Sequence, residues 1–341
     1  MADFLRFKET FMLLDPFKVR GLELPNRVIM APMSQRSANE TGCASSWHLV
    51  HYGSRAVGGV GLVMIEDSAV SPEGRGHGGA LGLYTDEQAA ALAPIVEFCH
   101  EQGAKVGVQL GHTGRKAFAD SDALNQVAGA TGAPFNASSH QPHALTDEEI
   151  CDLVAAFGQA AARASQVGVD VIEIHASHGY LIHEFLSPLT NHRSGPYGGG
   201  PEANSRFLLE VVERVRAACG PGMPLFVRLA IDDLADGGWH VDDAIPVINQ
   251  LSRAGCDAID AAAGGAVEGA SSFEIPVDFR NLAAQVRERT GMPTIVAGGI
   301  SSAEAAEAAL AGRDCDLVAI GRLLLTNPFW VNSLKEPTQA R

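Results

Sequence analysis

Cysteine pairs, basic residues and long apolar runs are all scarce in this chain of 341 residues. Its six cysteines lie far apart and form no Cys-x-x-Cys pair, so neither a zinc site nor an iron–sulfur cluster is indicated. Cysteines used in this way are typical of a reduced protein, so we expect a cytoplasmic location. The residues from Met1 to Phe17 lack the segments of a secretory signal, and no apolar run is long enough to span a bilayer.

The balance of charge is acidic. The chain has 25 Lys and Arg against 40 Asp and Glu, a net charge of −15 at pH 7. Such a surface repels phosphate backbones and anionic lipids, which excludes nucleic acid and membranes as partners. Aromatic residues make up only 6%, whereas hydrophobic residues make up 46% and glycine occurs 37 times. This composition is typical of a globular enzyme with a large core that acts on a small molecule.

Short apolar runs alternate with longer amphipathic runs along the chain, which indicates strands that alternate with helices. The short runs are apolar nearly throughout, as expected of parallel strands covered on both faces. We predict one domain, residues 1–341, folded as a (β/α)8 TIM barrel, with a doubly wound open sheet as the alternative. The predicted strands are 28–33, 61–65, 105–110, 170–175, 225–229, 258–262, 293–297 and 317–320.

Three segments lie outside this alternation. Residues 1–27 are expected to form an N-terminal cap, in which a hairpin turning at Gly21 closes the bottom of the barrel. Residues 117–144 are rich in Gly, Ala, Ser and Asn and predict a long loop, or lid, after the third strand. Residues 330–341 form a C-terminal tail. Capping-box spacing predicts helix starts at Thr146 and Ser301.

Glycine-rich loops follow the last two predicted strands. Gly298 and Gly299 come after the seventh strand, and Gly321 and Arg322 come after the eighth. Glycine lets the backbone approach an anion, and arginine adds charge-assisted hydrogen bonds. These two loops are where such barrels commonly hold phosphate, so the pattern predicts a phosphorylated ligand. The alternative is that the glycines serve only tight turns.

The fourth predicted strand ends in clustered titratable side chains. His175, His178 and Tyr180 fall within six positions of one another. Two imidazoles can hold an electron-rich oxygen and a phenol can deliver a proton, so we interpret the three as catalytic. They could instead be structural, or they could bind a metal together with His183 and Glu184, although no clean metal-ligand spacing is present.

Other strands end in residues that should reach the same rim, because the carboxyl ends of barrel strands share one face. They are Pro32, Met33 and Ser34 after the first strand, Gln109 in the third and Arg228 in the fifth. Each has a simpler explanation when taken alone. Gln109 could cap a turn, and Arg228 could pair with Asp232 or Asp233.

Three runs are specific enough to point to a family: GVQLGHTGRK at 107–116, IEIHASHGYLIHEFLSPLTNHR at 172–193 and IGR at 320–322. With them, residues 25–329 resemble the old yellow enzymes, FMN-dependent ene-reductases, in their thermophilic-like bacterial branch. The resemblance implies FMN on the barrel mouth, reduced by NADPH or NADH in the same cleft. It further implies reduction of an activated C=C bond, as in an enone, enoate, maleimide or nitroalkene, by a homodimer or homotetramer.

The resemblance also implies a role for each candidate residue. His175 and His178 would hold the carbonyl or nitro oxygen of the substrate, and Tyr180 would protonate its α-carbon. Around FMN, the implied contacts are Gln109 at the pyrimidine edge, Arg228 at N1 and O2, Pro32, Met33 and Ser34 at the O4–N5 edge, and Gly298, Gly299, Gly321 and Arg322 at the phosphate.

Five positions depart from the family pattern. Ser34 replaces a cysteine, and Arg36 replaces a tyrosine and would favour an anionic or polar substrate. Asp67 replaces a small alanine near the flavin, where an ionised carboxylate would lower the reduction potential. Gly195 and Asn204 replace an acidic residue and an arginine that support the active-site loop.

Two other functions fit parts of the sequence. An FMN-dependent dehydrogenase, oxidase or aromatising enzyme on the same fold is kept open by the changes at Ser34, Arg36 and Asp67. A flavin-free barrel lyase or isomerase could use the phosphate loops for a phosphorylated substrate. Flavin absorbance distinguishes this second alternative from the others.

Overall fold

Eight parallel strands close into a barrel in the computed structural model, which describes residues 12–117 and 127–335. The strands of the described residues are β1 (Phe17–Val19), β2 (Leu22–Leu24), β3 (Val28–Met30), β4 (Leu62–Ala69), β5 (Leu81–Gly82), β6 (Lys105–Gly111), β7 (Ala128–Gly129), β8 (His143–Ala144), β9 (Val171–Ala176), β10 (Leu225–Asp232), β11 (Ala258–Ala263), β12 (Thr294–Ala297) and β13 (Leu317–Ile320). Around the ring the order is β3, β13, β12, β11, β10, β9, β6 and β4. Because β4 also pairs with β3, the barrel is confirmed and the open sheet is wrong.

Helices cover the outside of the barrel, as predicted. In the part of the chain that the structure describes they are α1 (Ser46–Val57), α2 (Asp86–Glu101), α3 (Asp147–Gln166), α4 (Leu181–Leu186), α5 (Pro201–Cys219), α6 (Val241–Ala254), α7 (Phe279–Thr290), α8 (Ala303–Ala311), α9 (Arg322–Thr326) and α10 (Trp330–Leu334). Among these described helices, none combines the length and the apolar character that crossing a membrane requires.

The ends of three strands differ from the prediction. β3 stops at Met30 rather than at 33, since Pro32 has no N–H for the ladder. β4 and β10 run on to Ala69 and Asp232, past the predicted ends at 65 and 229. In both strands, the pairing register shifts by one residue near the carboxyl end, which marks a β-bulge. Polar residues that were predicted to follow the strand, such as Asp67 and Asp232, therefore lie within it.

A hairpin closes the bottom of the barrel. β1 and β2 pair antiparallel with Val19 opposite Leu22, and the turn between them contains Gly21, as predicted. Val19 and Leu24 are buried in one apolar cluster with barrel-interior residues such as Ile29 and Phe226. The rest of the predicted cap, residues 1–11, lies outside the described residues.

One of the two predicted helix caps is displaced. Thr146 Oγ1 accepts the N–H of Glu149 at 3.2 Å, and the Glu149 carboxylate accepts the N–H of Thr146 at 2.7 Å, which confirms that capping box. At α8 the cap is Ser302, which accepts the N–H of Ala305 at 3.2 Å. The prediction of Ser301 is wrong by one residue, because Ser302 is the residue with the extended backbone of an N-cap (φ −150°, ψ 169°).

The long segment after β6 is partly ordered by short pairings. β7 and β8 form a two-residue ladder, with Ala128 opposite His143. Arg193 reaches across from the loop after α4 and donates to the carbonyl of Ala130 at 2.9 Å. Residues 118–126 of the predicted lid and 336–341 of the predicted tail lie outside the described residues.

Candidate active site

A cavity of about 460 Å³ opens at the carboxyl ends of the barrel strands, a volume suited to a cofactor with a small ligand. It brings together most of the site residues that the sequence predicts, namely Pro32, Met33, His178, Tyr180, Arg228, Gly298, Gly299, Gly321 and Arg322. The cavity is also lined by residues for which no role was expected, among them Lys116, Gly265, Phe273 and Phe279. The GHTGRK run was the available signal for Lys116, whereas the others follow β11 or begin α7 and carry no motif.

The two glycine loops meet because β12 and β13 are neighbours in the barrel. Gly298 and Gly299 have φ of 133° and 70°. A Cβ at Gly298 would lie 2.7 Å from the ring of Phe279, so a side chain there would displace the wall of the cavity. With Gly321 and the exposed Arg322 next to them, the loops leave space and positive charge where the sequence predicts phosphate.

The two histidines lie side by side at the end of β9. Nε2 of His175 is 3.4 Å from Nδ1 of His178, and their rings are nearly perpendicular. The backbone N–H of Ser177 points at Nδ1 of His175 at 3.3 Å, which assigns the proton of that ring to Nε2. His178 has a left-handed backbone, with φ of 59°, and Lys116 Nζ donates to its carbonyl at 2.8 Å.

Both imidazoles are neutral hydrogen-bonding groups. Burial holds the pKa of His175 and of His178 well below the ordinary value, and the nearby positive charge of Arg228 lowers both further. A neutral imidazole can donate one N–H hydrogen bond while it keeps its proton. An oxygen placed between the two facing nitrogens could therefore accept from both rings.

Tyr180 completes the cluster, with its ring centroid 4.8 Å from that of His175. Burial raises the pKa of Tyr180 to about 12, and the carboxyl of Asp67 adds to the rise. The positive charges of Arg36 and Arg228 act in the opposite direction. The phenol therefore keeps its proton at neutral pH, as a proton donor must.

The segment that carries these groups is fixed by a buried network. His183 Nε2 lies 2.7 Å from Asp233 Oδ1, and Ser187 Oγ donates to the other carboxylate oxygen at 2.6 Å. The second nitrogen of His183 accepts the N–H of Gly179 at 2.8 Å. Glu184 accepts two backbone N–H groups. Metal binding at His183 and Glu184 finds no support, since over residues 12–117 and 127–335 no three such side chains are grouped to hold an ion.

Beneath the cavity, the barrel interior holds the buried side chains of Gln109, Glu173 and Asp260, next to Arg228, which is partly buried and lines the cavity. Gln109 Nε2 donates to Glu173 Oε1 at 2.8 Å, across the register of β6 and β9, so the alternative of a turn cap is wrong. Arg228 Nε lies 3.4 Å from Asp260 Oδ2, its register partner on β11.

The alternative that Arg228 pairs with Asp232 or Asp233 is therefore also wrong. Asp232 lies beyond the bulge of β10 and is 3.0 Å from His240 Nδ1. Asp233 is hydrogen-bonded to His183. The register between β10 and β11 decides the partner, and this pairing is invisible in a single sequence.

Among the divergent residues, Ser34 and Arg36 lie in the loop after β3 and Asp67 lies in β4, and none of these three lines the cavity. Ser34 Oγ is 3.2 Å from His77 Nε2. Arg36 has a left-handed backbone with φ of 52°. Asp67 lies against Gly111, and its Oδ1 is buried with no hydrogen-bond partner among the described residues. Burial raises the pKa of Asp67 to about 7, so this carboxyl titrates near neutral pH.

The other two divergent positions lie farther along the chain. Gly195 has φ of 97° in the loop after α4. Asn204, in the first turn of α5, donates weakly to the carbonyl of Leu186 at 3.4 Å, and its Oδ1 is buried without a partner in the described part. Asn204 therefore contacts the end of α4, the helix that begins immediately after Tyr180.

Comparison with known proteins identifies the family. The model described as the NADH:flavin oxidoreductase / NADH oxidase family matches residues 12–340. The chain is 40% identical to the NADPH dehydrogenase of Bacillus subtilis (strain 168) over 322 residues, which is 94% of this chain and 93% of that relative. It is 39% identical to the NADPH dehydrogenase of Geobacillus thermodenitrificans (strain NG80-2) over 324 residues, 94% of this chain and 92% of the relative.

Solved structures agree with this assignment. The old yellow enzyme homologue from Zymomonas mobilis matches with a TM-score of 0.83 at 27% identity, over 96% of this chain and 94% of that one. A 2-naphthoyl-CoA reductase matches 95% of this chain with a TM-score of 0.88 at 25% identity, and this chain spans about half (52%) of that longer protein. A flavin-free lyase or isomerase is thereby set aside. The chain belongs to the NADH:flavin oxidoreductase / NADH oxidase family, that of the old yellow enzymes, and is an FMN-dependent NAD(P)H oxidoreductase.

Proposed function

We propose that this enzyme reduces an activated C=C bond in an enone, enoate, maleimide or nitroalkene, with His175 and His178 holding the activating oxygen and Tyr180 donating the proton. One observation carries the proposal. Two neutral imidazole nitrogens lie 3.4 Å apart beside a phenol that stays protonated at neutral pH. A pair of donors next to a proton source suits an oxygen that gains negative charge while a neighbouring carbon is protonated.

The residues around the cavity fit FMN. Arg228 lines the cavity, and its Nε, which faces Asp260 at 3.4 Å, makes no hydrogen bond to the described residues, so Asp260 does not hold the guanidinium firmly. The glycine loops leave room for an anion beside Arg322. FMN, when bound, supplies the hydride that goes to the β-carbon. The residues proposed to hold it are Gly298, Gly299, Gly321 and Arg322 at the phosphate, Arg228 and Gln109 at the pyrimidine edge, and Pro32, Met33 and Ser34 at the opposite edge.

His175 and His178 act together on the substrate oxygen. His175 offers its Nε2 proton, and His178 offers a second proton when it adopts the Nδ1–H tautomer. The substrate oxygen then replaces the present contact between the two rings. Because both rings are uncharged, with His175 buried and His178 partly buried, they stabilise the developing enolate through hydrogen bonds that water weakens little.

Tyr180 transfers its proton from Oη to the α-carbon. The resulting phenolate would be costly in a buried site, but Arg36 and Arg228 both lower the pKa of Tyr180 and so favour the anion that the transfer leaves. The same pKa of about 12 makes the phenolate scarce before the reaction. Tyr180 is thus suited to donate a proton in the reduction.

Anaerobic stopped-flow mixing tests the proposal. The enzyme is first reduced with NADPH and then mixed with enones, maleimides and carboxylated enoates, while the flavin absorbance is followed. Fast reoxidation by these alkenes, with ping-pong kinetics, is expected. Reoxidation by oxygen alone would reject the proposal in favour of an oxidase or a dehydrogenase.

A further inference from the structure

The buried layer beneath the cavity contains more negative than positive groups. Glu173 and Asp260 are 2% and 1% exposed, and they come from β9 and β11, the two strands that flank β10. Arg228, on β10, is the cation between them. Gln109, which donates to Glu173, carries no charge, and His175, two residues farther along β9, is a neutral imidazole. Two ionised carboxyls and one guanidinium would leave an uncompensated negative charge inside the barrel.

The hydrogen bonds also fall short of what two carboxylates require. Asp260 Oδ1 is buried and has no hydrogen-bond partner among residues 12–117 and 127–335, and Arg228 approaches Oδ2 of Asp260 only to 3.4 Å. A buried carboxylate oxygen without a hydrogen-bond partner is destabilising, and the pair avoids this destabilisation by binding a proton. Burial raises the pKa of Glu173 to about 8, with the charge of Asp260 adding to the rise and that of Arg228 opposing it.

We propose that Glu173 and Asp260 hold one proton between them beneath Arg228, and that this proton keeps the positive charge of Arg228 available to FMN. The inference rests on the proposed placement of FMN beside Arg228. With the proton present, the layer is neutral overall and Arg228 stabilises negative charge on the reduced cofactor. When the proton leaves, the second carboxylate cancels that effect. Glu173 and Asp260 are therefore positioning residues that act on the cofactor through Arg228.

Two measurements on the FMN-loaded enzyme test this. Infrared difference spectra across pH should show a protonated carboxyl band that disappears as the pH rises through about 8 and is missing in Glu173→Gln. Potentiometry should show that the midpoint potential of FMN falls more steeply with rising pH above about pH 7 in the native enzyme than in Glu173→Gln. Glutamine keeps the oxygen that accepts from Gln109, so the variant removes the proton site and not the contact.

Glu184→Gln is the matched control, since Glu184 is a second buried carboxyl whose pKa burial raises to about 7. It should remove a different infrared band and leave the slope of potential against pH unchanged. Should Glu173→Gln not fold, Asp260→Asn tests the same pair. A protonated-carboxyl band that titrates near pH 8 and survives both substitutions, or parallel slopes in native and variant enzymes, overturns the proposal. Neither readout uses an alkene, so failure of the proposed ene-reduction would leave this result intact.

Discussion

His183 and Asp233 form a completely buried pair, with His183 Nε2 2.7 Å from Asp233 Oδ1. The other ring nitrogen of His183 holds the N–H of Gly179, which follows His178 directly. The pair therefore fixes the backbone between His178 and Tyr180. Its removal should affect both the fold and the geometry of the site.

Asp233→Ala should lower the free energy of unfolding by about 3–5 kcal/mol, because it leaves a buried polar partner unsatisfied. Urea denaturation measures the loss. Asp147→Ala is the control, since Asp147 is 54% exposed where it pairs with Arg193, and such surface pairs contribute about 0–1 kcal/mol. Equal losses in the two variants would show that the pair does not fix this segment.

Tyr180→Phe should slow reoxidation of the reduced enzyme by an enone about 10²–10⁴-fold, the usual contribution of a positioned proton donor. Reduction by NADPH should be unchanged, because that half-reaction needs no proton at the α-carbon. Stopped-flow spectroscopy measures both half-reactions in one protein, so the reductive half is the internal control. A variant that reoxidises at the native rate would remove Tyr180 from the mechanism.

Arg36→Tyr should weaken binding of a carboxylated enoate about 10-fold and leave a neutral enone nearly unaffected, as expected on losing a nearby positive charge. Arg36 acts on Tyr180, so its charge reaches the place where the substrate is protonated. Steady-state KM and equilibrium titration of the two substrates give the ratio. An unchanged preference would exclude Arg36 as a determinant of substrate charge.

Asp67→Asn should have effects that depend on pH. Burial raises the pKa of Asp67 to about 7, so the folded protein binds a proton that the unfolded chain releases near pH 4. Stability is therefore lost as the pH rises toward and through 7, and the variant should lose less of it. The sign is the reverse of that for a salt-bridged aspartate. Thermal unfolding at several pH values measures the difference.

The same substitution should raise the reduction potential of FMN only above about pH 7, where Asp67 is ionised. Potentiometry at acidic and alkaline pH separates the two regimes. A rise of equal size at both would point to a change in packing instead of charge. No rise at either pH would show that the carboxyl does not act on the cofactor.

Arg322→Ala should weaken FMN binding about 10- to 100-fold, the range expected for charge-assisted hydrogen bonds to phosphate. Riboflavin, which lacks the phosphate, should bind native and variant apoenzyme alike. Flavin fluorescence measures both affinities. A parallel loss for riboflavin and FMN would place Arg322 against another part of the cofactor.

The barrel could be predicted because its signals are local. Apolar runs and amphipathic periods mark each strand and helix, and Pro32 explains why β3 stops early. The ends of β4 and β10 could not be predicted, since a bulge depends on the neighbouring strand. A run of polar residues such as Glu66 and Asp67 reads as the end of a strand in sequence, although the ladder continues to Ala69.

The sequence indicated which residues gather at the candidate site better than it indicated their contacts. His175, His178 and Tyr180 stand out because polar side chains cluster where an apolar strand ends. Glu173 gave no such signal, since it lies inside the apolar strand. Its relation to Asp260 depends on barrel closure and on register, which bring together residues that are far apart in the chain.

The extra residues in β4 and β10 both lie on the cavity side of the barrel. Since side chains alternate between the two faces of a strand, removing one residue from either bulge would exchange inside and outside for every position that follows it. In β4 such a deletion would reverse the facing of Ser68 and Ala69 and leave the strand below untouched. A single-residue insertion or deletion at either bulge would therefore change which side chains line the cavity. The strand pairing in the lower part of the barrel would stay the same.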